Sequence, residues 1–318
     1  MSLVSISPRN CALKFKTVQS LDSCRGRGAV FLAAALVTVG CAGAPSKTGD
    51  ILPTGVASLE PVEVKGTVEL KLKGEPKSTD VVEYHHIASS RAYEAGELRQ
   101  EKSEAIEFTS ESTTLKADAD RLTQAIRITK KDGTIDLHDF AMPELGESLE
   151  LTTNTKGKVL KAGDWPTNSI FYVPAVSLPE VPVEVGDTWT MQATWLSLAE
   201  MVPYELDMVS ILKGFVRCGT GTCADIEVNG NVGMQGALKQ ALVFRSEWRG
   251  CQLFSLEQGT VVWSRVNLEE TLASDKVHRT VRSCLEAVLK EPRANSIVSE
   301  ATKPQCVGFV PPTSERTL

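Results

Sequence analysis

Val261 to Leu289 reads VVWSRVNLEETLASDKVHRTVRSCLEAVL, and the period of its apolar residues decides what kind of fold this chain makes. Val262, Val266, Leu268 and Leu272 fall on one parity, as do Val277, Val281 and Leu285 in the next run. Side chains on a strand alternate between two faces, so a shared parity marks a half-buried strand. Ala273-Ser274-Asp275 supplies the turn between the two runs. The second run also fits a helix through Val281, Leu285 and Val288, and the pattern alone leaves that open.

The same alternation recurs outward from this stretch. In VEVKGTVELKLKG, Val62, Val64, Val68, Leu70 and Leu72 share one parity, which predicts a strand. LTQAIRITKKDGTIDLHDF predicts a hairpin, with Ala125 to Ile128 and Ile135 to Leu137 flanking the Lys-Asp-Gly turn. SSRAYEAGELRQEKSEAIEF fits a charged helix or paired strands, and Gly96 favours strands; ESTTLKADADRL is equally ambiguous. Tyr204 to Met208 leads into Cys218-Gly-Thr-Gly-Thr-Cys223, and Ala224 to Val228 leads away from it. Between the two strand-rich regions stand Pro174, Pro179 and Pro182, which favour an extended crossover because proline cannot donate to a ladder. The expected fold is all-β, with long antiparallel strands in one large or two joined β-domains, as an open sheet, half-barrel or sandwich. The expected divisions are 1–40, 41–60, 61–173, 174–290 and a tail from 291 to 318. LELTTNTKGKVLKAG and LFSLEQGTVVWSR are alike enough for the halves to be a diverged duplication.

The first of these divisions holds RGRGAVFLAAALVTVGCAG, Arg25 to Gly43. Its apolar run, Ala29 to Val39, is much shorter than the roughly 20 residues of a spanning helix. With Arg9, Lys14, Lys16, Arg25 and Arg27 ahead of it, the run reads as the h-region of a secretory signal over residues 1–40. Thr38-Val39-Gly40-Cys41 resembles the lipobox of bacterial lipoproteins, whose pattern commonly has leucine where this chain has Thr38. The resemblance covers about twenty residues and implies that Cys41 is acylated, carries palmitate or a similar chain, and becomes the first residue of the mature protein. An ordinary secretory signal with a cysteine near the cut is the alternative. Ala42 rather than Asp follows the cysteine, which by resemblance to enterobacterial sorting implies the outer membrane, with the body in the periplasm or at the cell surface. Residues 42–60 are small, polar and rich in Pro and Gly, the composition of a flexible tether. The Pro-rich segment that ends in Val183-Glu-Val-Gly-Asp-Thr-Trp189 is similar to a phrase in uncharacterised bacterial envelope lipoproteins with long antiparallel strands. That resemblance carries no activity with it.

Taking the leader's five basic and one acidic residues from 34 and 40 leaves 29 and 39, a net charge of −10. An acidic body with no basic cluster argues against nucleic acid and against adsorption to anionic headgroups. Cys218 and Cys223 are expected to form a disulfide across the neck of their hairpin. Cys306, in the tail, is expected to pair with Cys251 or Cys284, and sequence does not choose between them. Neither zinc nor redox spacing accompanies these cysteines, and His85, His86, His138 and His278 form no Cys/His ligand set. Asp132, Asp136, His138 and Asp139 read as a solvated hairpin face rather than a metal site. No G-x-S-x-G, P-loop, dinucleotide fingerprint or H-E-x-x-H occurs, so neither catalytic residue nor cofactor is implied. Trp189, Trp195, Trp248 and Trp263 are candidates for a ligand groove, although tryptophans in a large β-domain also fill cores. The leading expectation is a non-catalytic scaffold or adaptor that meets an envelope protein partner from its anchor in the bilayer. The alternative is a carrier of a lipid or other apolar ligand in a β-cavity, and the third reading is an enzyme.

Cys41→Ser is expected to stop incorporation of labelled fatty acid and to release the protein from the membrane pellet. Unchanged labelling of that variant would remove the lipoprotein reading.

Overall fold

The alternating runs become eleven strands, and their pairing is a computed structural model's account of residues 59–197, 202–234, 243–274 and 277–290. The signal, Cys41, the tether to residue 58 and the tail from 291 lie outside the described residues. The strands are β1 (Thr79–Glu94), β2 (Glu97–Ala117), β3 (Arg121–Asp132), β4 (Ser148–Asn154), β5 (Val159–Ala162) and β6 (Thr188–Leu196). They continue as β7 (Pro203–Cys218), β8 (Gly221–Met234), β9 (Val243–Ser255), β10 (Thr260–Ala273) and β11 (Val277–Leu289). All lie in one sheet of order β5-β4-β3-β2-β1-β11-β10-β9-β8-β7-β6, antiparallel throughout and open rather than closed into a barrel. The ambiguous segments resolve as strands: Ser89 to Phe108 is the β1–β2 hairpin, turned at Ala95-Gly96 with both φ positive, and the 277–289 run is β11 rather than a helix.

β5 and β6 are the two edges, so the connection 163–187 must cross the width of the sheet. It does so on one face only. Phe171 packs with Leu149, Val159 and Ala162 of β4 and β5. Val173 packs with Leu206, Met208 and Val232 of β7 and β8. Leu178 and Val183 join Leu212, Phe215 and Ile226. A single segment touching the same face near both edges means that the sheet curls around it. That face is the inner one. Register shifts at Thr114/Lys116, Leu212/Gly214 and Val261/Trp263 are bulges, which bend a strand and aid the curl.

One end of the curl is floored. The turns after β2, β4, β7 and β9 lie at that end, and residues 59–73 run past three of them as an extended strap. Arg217 N donates to Glu60 O (2.8 Å), Val68 and Val183 exchange both backbone bonds (2.8 and 3.0 Å), and Leu72 N donates to Thr155 O (2.8 Å). Lys73 N reaches Gly259 O (2.9 Å) and Lys73 Nζ reaches Leu256 O (2.7 Å). Gly259 has φ +62°, and a Cβ there would lie 2.6 Å from Lys73 Cβ and 2.8 Å from Lys71 O, so only glycine lets the strap pass.

Two expectations are corrected here. Val62 to Leu72 alternates as predicted, with Leu70 buried and Val62, Val64, Val68 and Leu72 packed against the inner core. It is nevertheless no strand, because its backbone meets the sheet only through isolated bridges at Pro61–Val216 and Val68–Val183. Lys-Asp-Gly makes no hairpin either. β3 stops at Asp132, and Leu137–Phe140 is a 3-10 turn capped by Asp136, whose Oδ1 accepts from His138 N. Leu137 is drawn into the core with Ile106, Phe108 and Ile128, and that burial outweighs ladder pairing for so short a run.

Leu70 is fully buried at the centre of the floor. Leu70→Ala should cost about 2–5 kcal/mol, the usual range for such a truncation, and lower the urea midpoint of the mature protein without changing its m-value.

Candidate functional site

Register settles which side chains enter the curl. Trp189 lies opposite Ser210, Trp195 opposite Tyr204, and Trp248 opposite Gly230 on one side and Leu268 on the other. These three tryptophans share the inner face. Trp189 belongs to the floor, where its Nε1 donates to Ser177 O (2.9 Å). Trp195 stacks on Tyr204 (centroids 5.4 Å apart), and Tyr204 meets Phe244 edge-on at 5.2 Å. Trp248 Nε1 donates to Ser246 Oγ (2.9 Å).

Trp263 points the other way. It is opposite Leu253 and Val288 and belongs to the outer cluster with Cys251, Val262 and the Cys218–Cys223 disulfide. It is 1% exposed, and its Nε1 donates to Glu286 Oε1 (2.8 Å). Alternation is the cause, because Trp263 lies on the opposite parity to Val266, Leu268 and Leu272 of the same strand, with continuous register between them.

Above the floor, the inner face carries apolar side chains that are only half-buried. Val266, Leu268 and Leu272 of β10 stand beside Val281 and Leu285 of β11, between the Trp248 wall and the β1–β2 wall. On that second wall, Tyr84 stacks on Phe108 (4.5 Å), and Phe140 lies over both Phe108 and His86. At the unfloored end, Leu98, Val243 and Val277 are exposed at the strand tips. The sequence shows the parity of these residues, but it does not show that they line one concavity.

Titratable groups with displaced pKa values are divided between the faces. His86 is inside, against the edge of Phe140 at 4.9 Å, and burial lowers it to about 4. Glu270 is also inside; burial raises its pKa, opposed by Arg279 and by a hydrogen bond with Ser246. Asp225 and Cys251 are outside. Burial pushes Asp225 up to about 6, opposed by Lys213, and pushes the Cys251 thiol up to about 12, with Asp225 adding to the rise. His85, next to His86, faces outward towards Glu107 (3.3 Å).

His138 sits between Asp136 (3.2 Å) and Glu147 (3.0 Å) with its ring edge towards Trp165. Its expected strand partnership with Asp136 is replaced by the capped turn described above. Among the described residues, no group of three or more His, Cys, Asp and Glu is placed to hold a metal ion.

Cys218 and Cys223 are bonded, with Cα atoms 5.8 Å apart. They do not face each other: Cys218 pairs with Gly221 and Cys223 with Val216, so the bond spans a diagonal beside the Gly219-Thr220 turn. Gly219 takes φ +61° there. Cys284 is disulfide-bonded as well, whereas Cys251 keeps a thiol.

No protein-family model matches the chain, and no curated protein matches it. Among solved structures, the chain is similar to the hypothetical lipoprotein YmcC of Escherichia coli K12. The likeness covers 65% of this chain and 84% of that one at 10% identity and a TM-score of 0.27. It is also similar to an outer membrane channel of Pseudomonas putida F1, over 72% of this chain and all of that one, at 9% identity and a TM-score of 0.19. At these TM-scores neither likeness carries anything over to this chain.

Two of these buried groups, His86 and Asp225, oppose each other in acid. His86 is held below its ordinary 6.5, so the unfolded chain binds the proton first and stability falls as pH drops from 6.5 towards 4. Asp225 is held above its ordinary 3.8, so the folded chain binds first and stability rises as pH drops from 6 towards 3.8. His86→Phe should therefore gain on the parent protein as pH is lowered, by roughly 3 kcal/mol at pH 4. Asp225→Asn should lose on it over the same range. Urea melts at pH 7, 5.5 and 4.5 read both differences.

Proposed function

We propose that the protein is a lipid-anchored envelope protein that carries an apolar ligand with acyl chains on the inner face of its curled sheet. The envelope address comes from the leader, the lipobox-like Thr38 to Cys41 and the tether after it. The ligand comes from one observation: Trp195, Phe244, Trp248, Leu268, Leu272 and Val281 share the inner face and are left only half-buried. A curl whose own core were complete would bury them. Leaving large apolar groups part-wetted in a concavity costs free energy, which an apolar guest recovers by removing that surface from water. The floor formed by residues 59–73 and 174–187 closes one end, so entry is from the end where Leu98, Val243 and Val277 are exposed.

This reading takes precedence over the adaptor that the acidic body and long tether suggest. An adaptor working through β-augmentation needs a free sheet edge. Here the short edge strand β5 and the edge strand β6 both meet the Ile170–Tyr172 turn, and Leu196 N of β6 donates to Asn168 O (2.6 Å). An enzyme reading gains little, because the displaced titrating groups are split between opposite faces.

The test is binding of a fluorescent polyene fatty acid to the purified protein, with extraction and mass spectrometry of any lipid that co-purifies. Saturable binding is expected. Leu268→Glu should weaken it at least tenfold while the far-UV circular dichroism stays that of the parent, since a charge would then sit in the apolar wall. Absence of both saturable binding and co-purifying lipid would overturn the carrier and return the case to the adaptor.

A further inference from the structure

The apolar inner wall carries a polar strip. Glu270 of β10 stands on the inner face between Leu268 and Leu272, opposite Ser246 of β9 and Val281 of β11. Ser246 is 1% exposed; it accepts from Trp248 Nε1 and is hydrogen-bonded to the Glu270 side chain. The serine gives its own proton to the carboxylate, which fills one of about four acceptor positions there and fixes the group in the wall. The rest of that accepting capacity is left on the inner face.

The 3-10 turn Leu137–Phe140 stands over the same face. Its Phe140 ring meets His86 edge-on at 4.9 Å, and its Asp139 lies near enough to Glu270 to act on it through charge. Arg279, on the inner face of β11, opposes that effect. The local balance is two carboxylates against one guanidinium. Lys102 and Glu104 of β2 share the face, but they pair with each other and cancel. Under the turn, His86 is 8% exposed, and its Nδ1 has no hydrogen-bond partner among the described residues. An unpaired buried polar atom costs free energy, which the polar group of a ligand recovers. His86 is neutral at pH 7, so one of its ring nitrogens accepts, as the two carboxylates do. The strip therefore offers acceptors and a surplus of negative charge.

We propose that the carried ligand is an acyl-chain compound whose head donates hydrogen bonds and bears no negative charge, an amine before a hydroxyl. Glu270 and Asp139 hold that head, and the chain lies against Leu268, Leu272 and Trp248. The inference rests on the carrier reading and names the ligands that the carrier prefers. A free fatty acid brings a further carboxylate to the strip and is repelled there, so it binds through its chain alone and least well. An ammonium meets two carboxylates in a wall that is partly shielded from water, where such attraction is strongest. Ser246 is a positioning residue, since it acts on the head only by fixing Glu270. Trp248 serves twice, with its ring against the chain and its Nε1 on Ser246.

The experiment is displacement of an uncharged naphthylamine dye from the full mature protein at pH 7.5 by dodecylamine, 1-dodecanol and dodecanoate, which share one chain. The amine should displace the dye at a concentration at least tenfold lower than dodecanoate, with the alcohol between them. Glu270→Gln should weaken the amine at least fivefold and strengthen dodecanoate, while the alcohol stays within twofold because an amide oxygen still accepts. Glu269→Gln removes the same charge from the outer face and should change none of the three. Should Glu270→Gln fail to fold, Asp139→Asn should shift the amine and dodecanoate in the same directions. Equal displacement by all three, or tightest binding of dodecanoate, overturns the head-group site and leaves the carrier standing. An equal effect of Glu269→Gln and Glu270→Gln shows that the amine reads only the acidity of the whole body, and it also overturns the site. A dye that does not bind at all overturns the carrier, and this inference with it.

Discussion

The thirteen-residue antiparallel pairing of β1 with β11 is the contact on which the architecture depends. Every other strand pair joins neighbours in sequence: β1 to β5 form one meander and β6 to β11 another. Each meander by itself is a ribbon with one apolar face. Val82 opposite Leu289 and Tyr84 opposite Ala287 put the apolar faces of both ribbons on the same side of a single sheet. Bringing residues about 200 apart into register costs loop-closure entropy, though that cost grows only logarithmically with length. Hydrogen bonds along thirteen pairs, and the shared core they create, offset it.

With the meanders joined, the sheet has two distant edges and a connection that must link them. Curling around that connection is the way such a sheet buries its apolar face without a second layer. The strap of residues 59–73 then completes the floor, using its alternate side chains as a layer and its backbone as a tie between turns. Lys73, Lys156 and Gly259 hold this tie. Lys156 Nζ donates to Leu70 O at 2.9 Å and lies near Glu69, which makes Glu69 more acidic than usual. Among the described residues the upper part of the curl receives no such layer, and its aromatic walls are part-open there.

Much of the fold was legible in advance. Parity in Val266 to Leu272 announces β10, Gly96 marks a hairpin tip, and the Pro-rich stretch is the crossover. The run from Val277, by contrast, fits strand and helix alike, and only its pairing with β1 and β10 makes it β11. Some local signals misled in an informative way. Val62 to Leu72 has the alternation of a strand because one face of an extended chain is buried, and burial is all that alternation reports. Ile135 to Leu137 has β-forming residues, but Asp136 capping a 3-10 turn and Leu137 entering the core win over propensity. Of the four tryptophans named as groove candidates, three share the inner face, whereas Trp263 has the opposite parity to Val266 and Leu268 and faces outward to Glu286.

The sequence by itself determined the all-β class, many of the strands and the disulfide hairpin, because each rests on residues close together in the chain. It divided every strand into two faces. It did not say which face would be inside, since alternation has a period but no sign. Only the tertiary structure decided that, through the β1–β11 pairing and the crossing of residues 163–187 over one side of the sheet. The same long-range contacts decided that the strap is not a strand and that half of the inner wall stays open. They also decided that Glu286, an ordinary acidic residue in an acidic chain, lies fully buried beside Trp263.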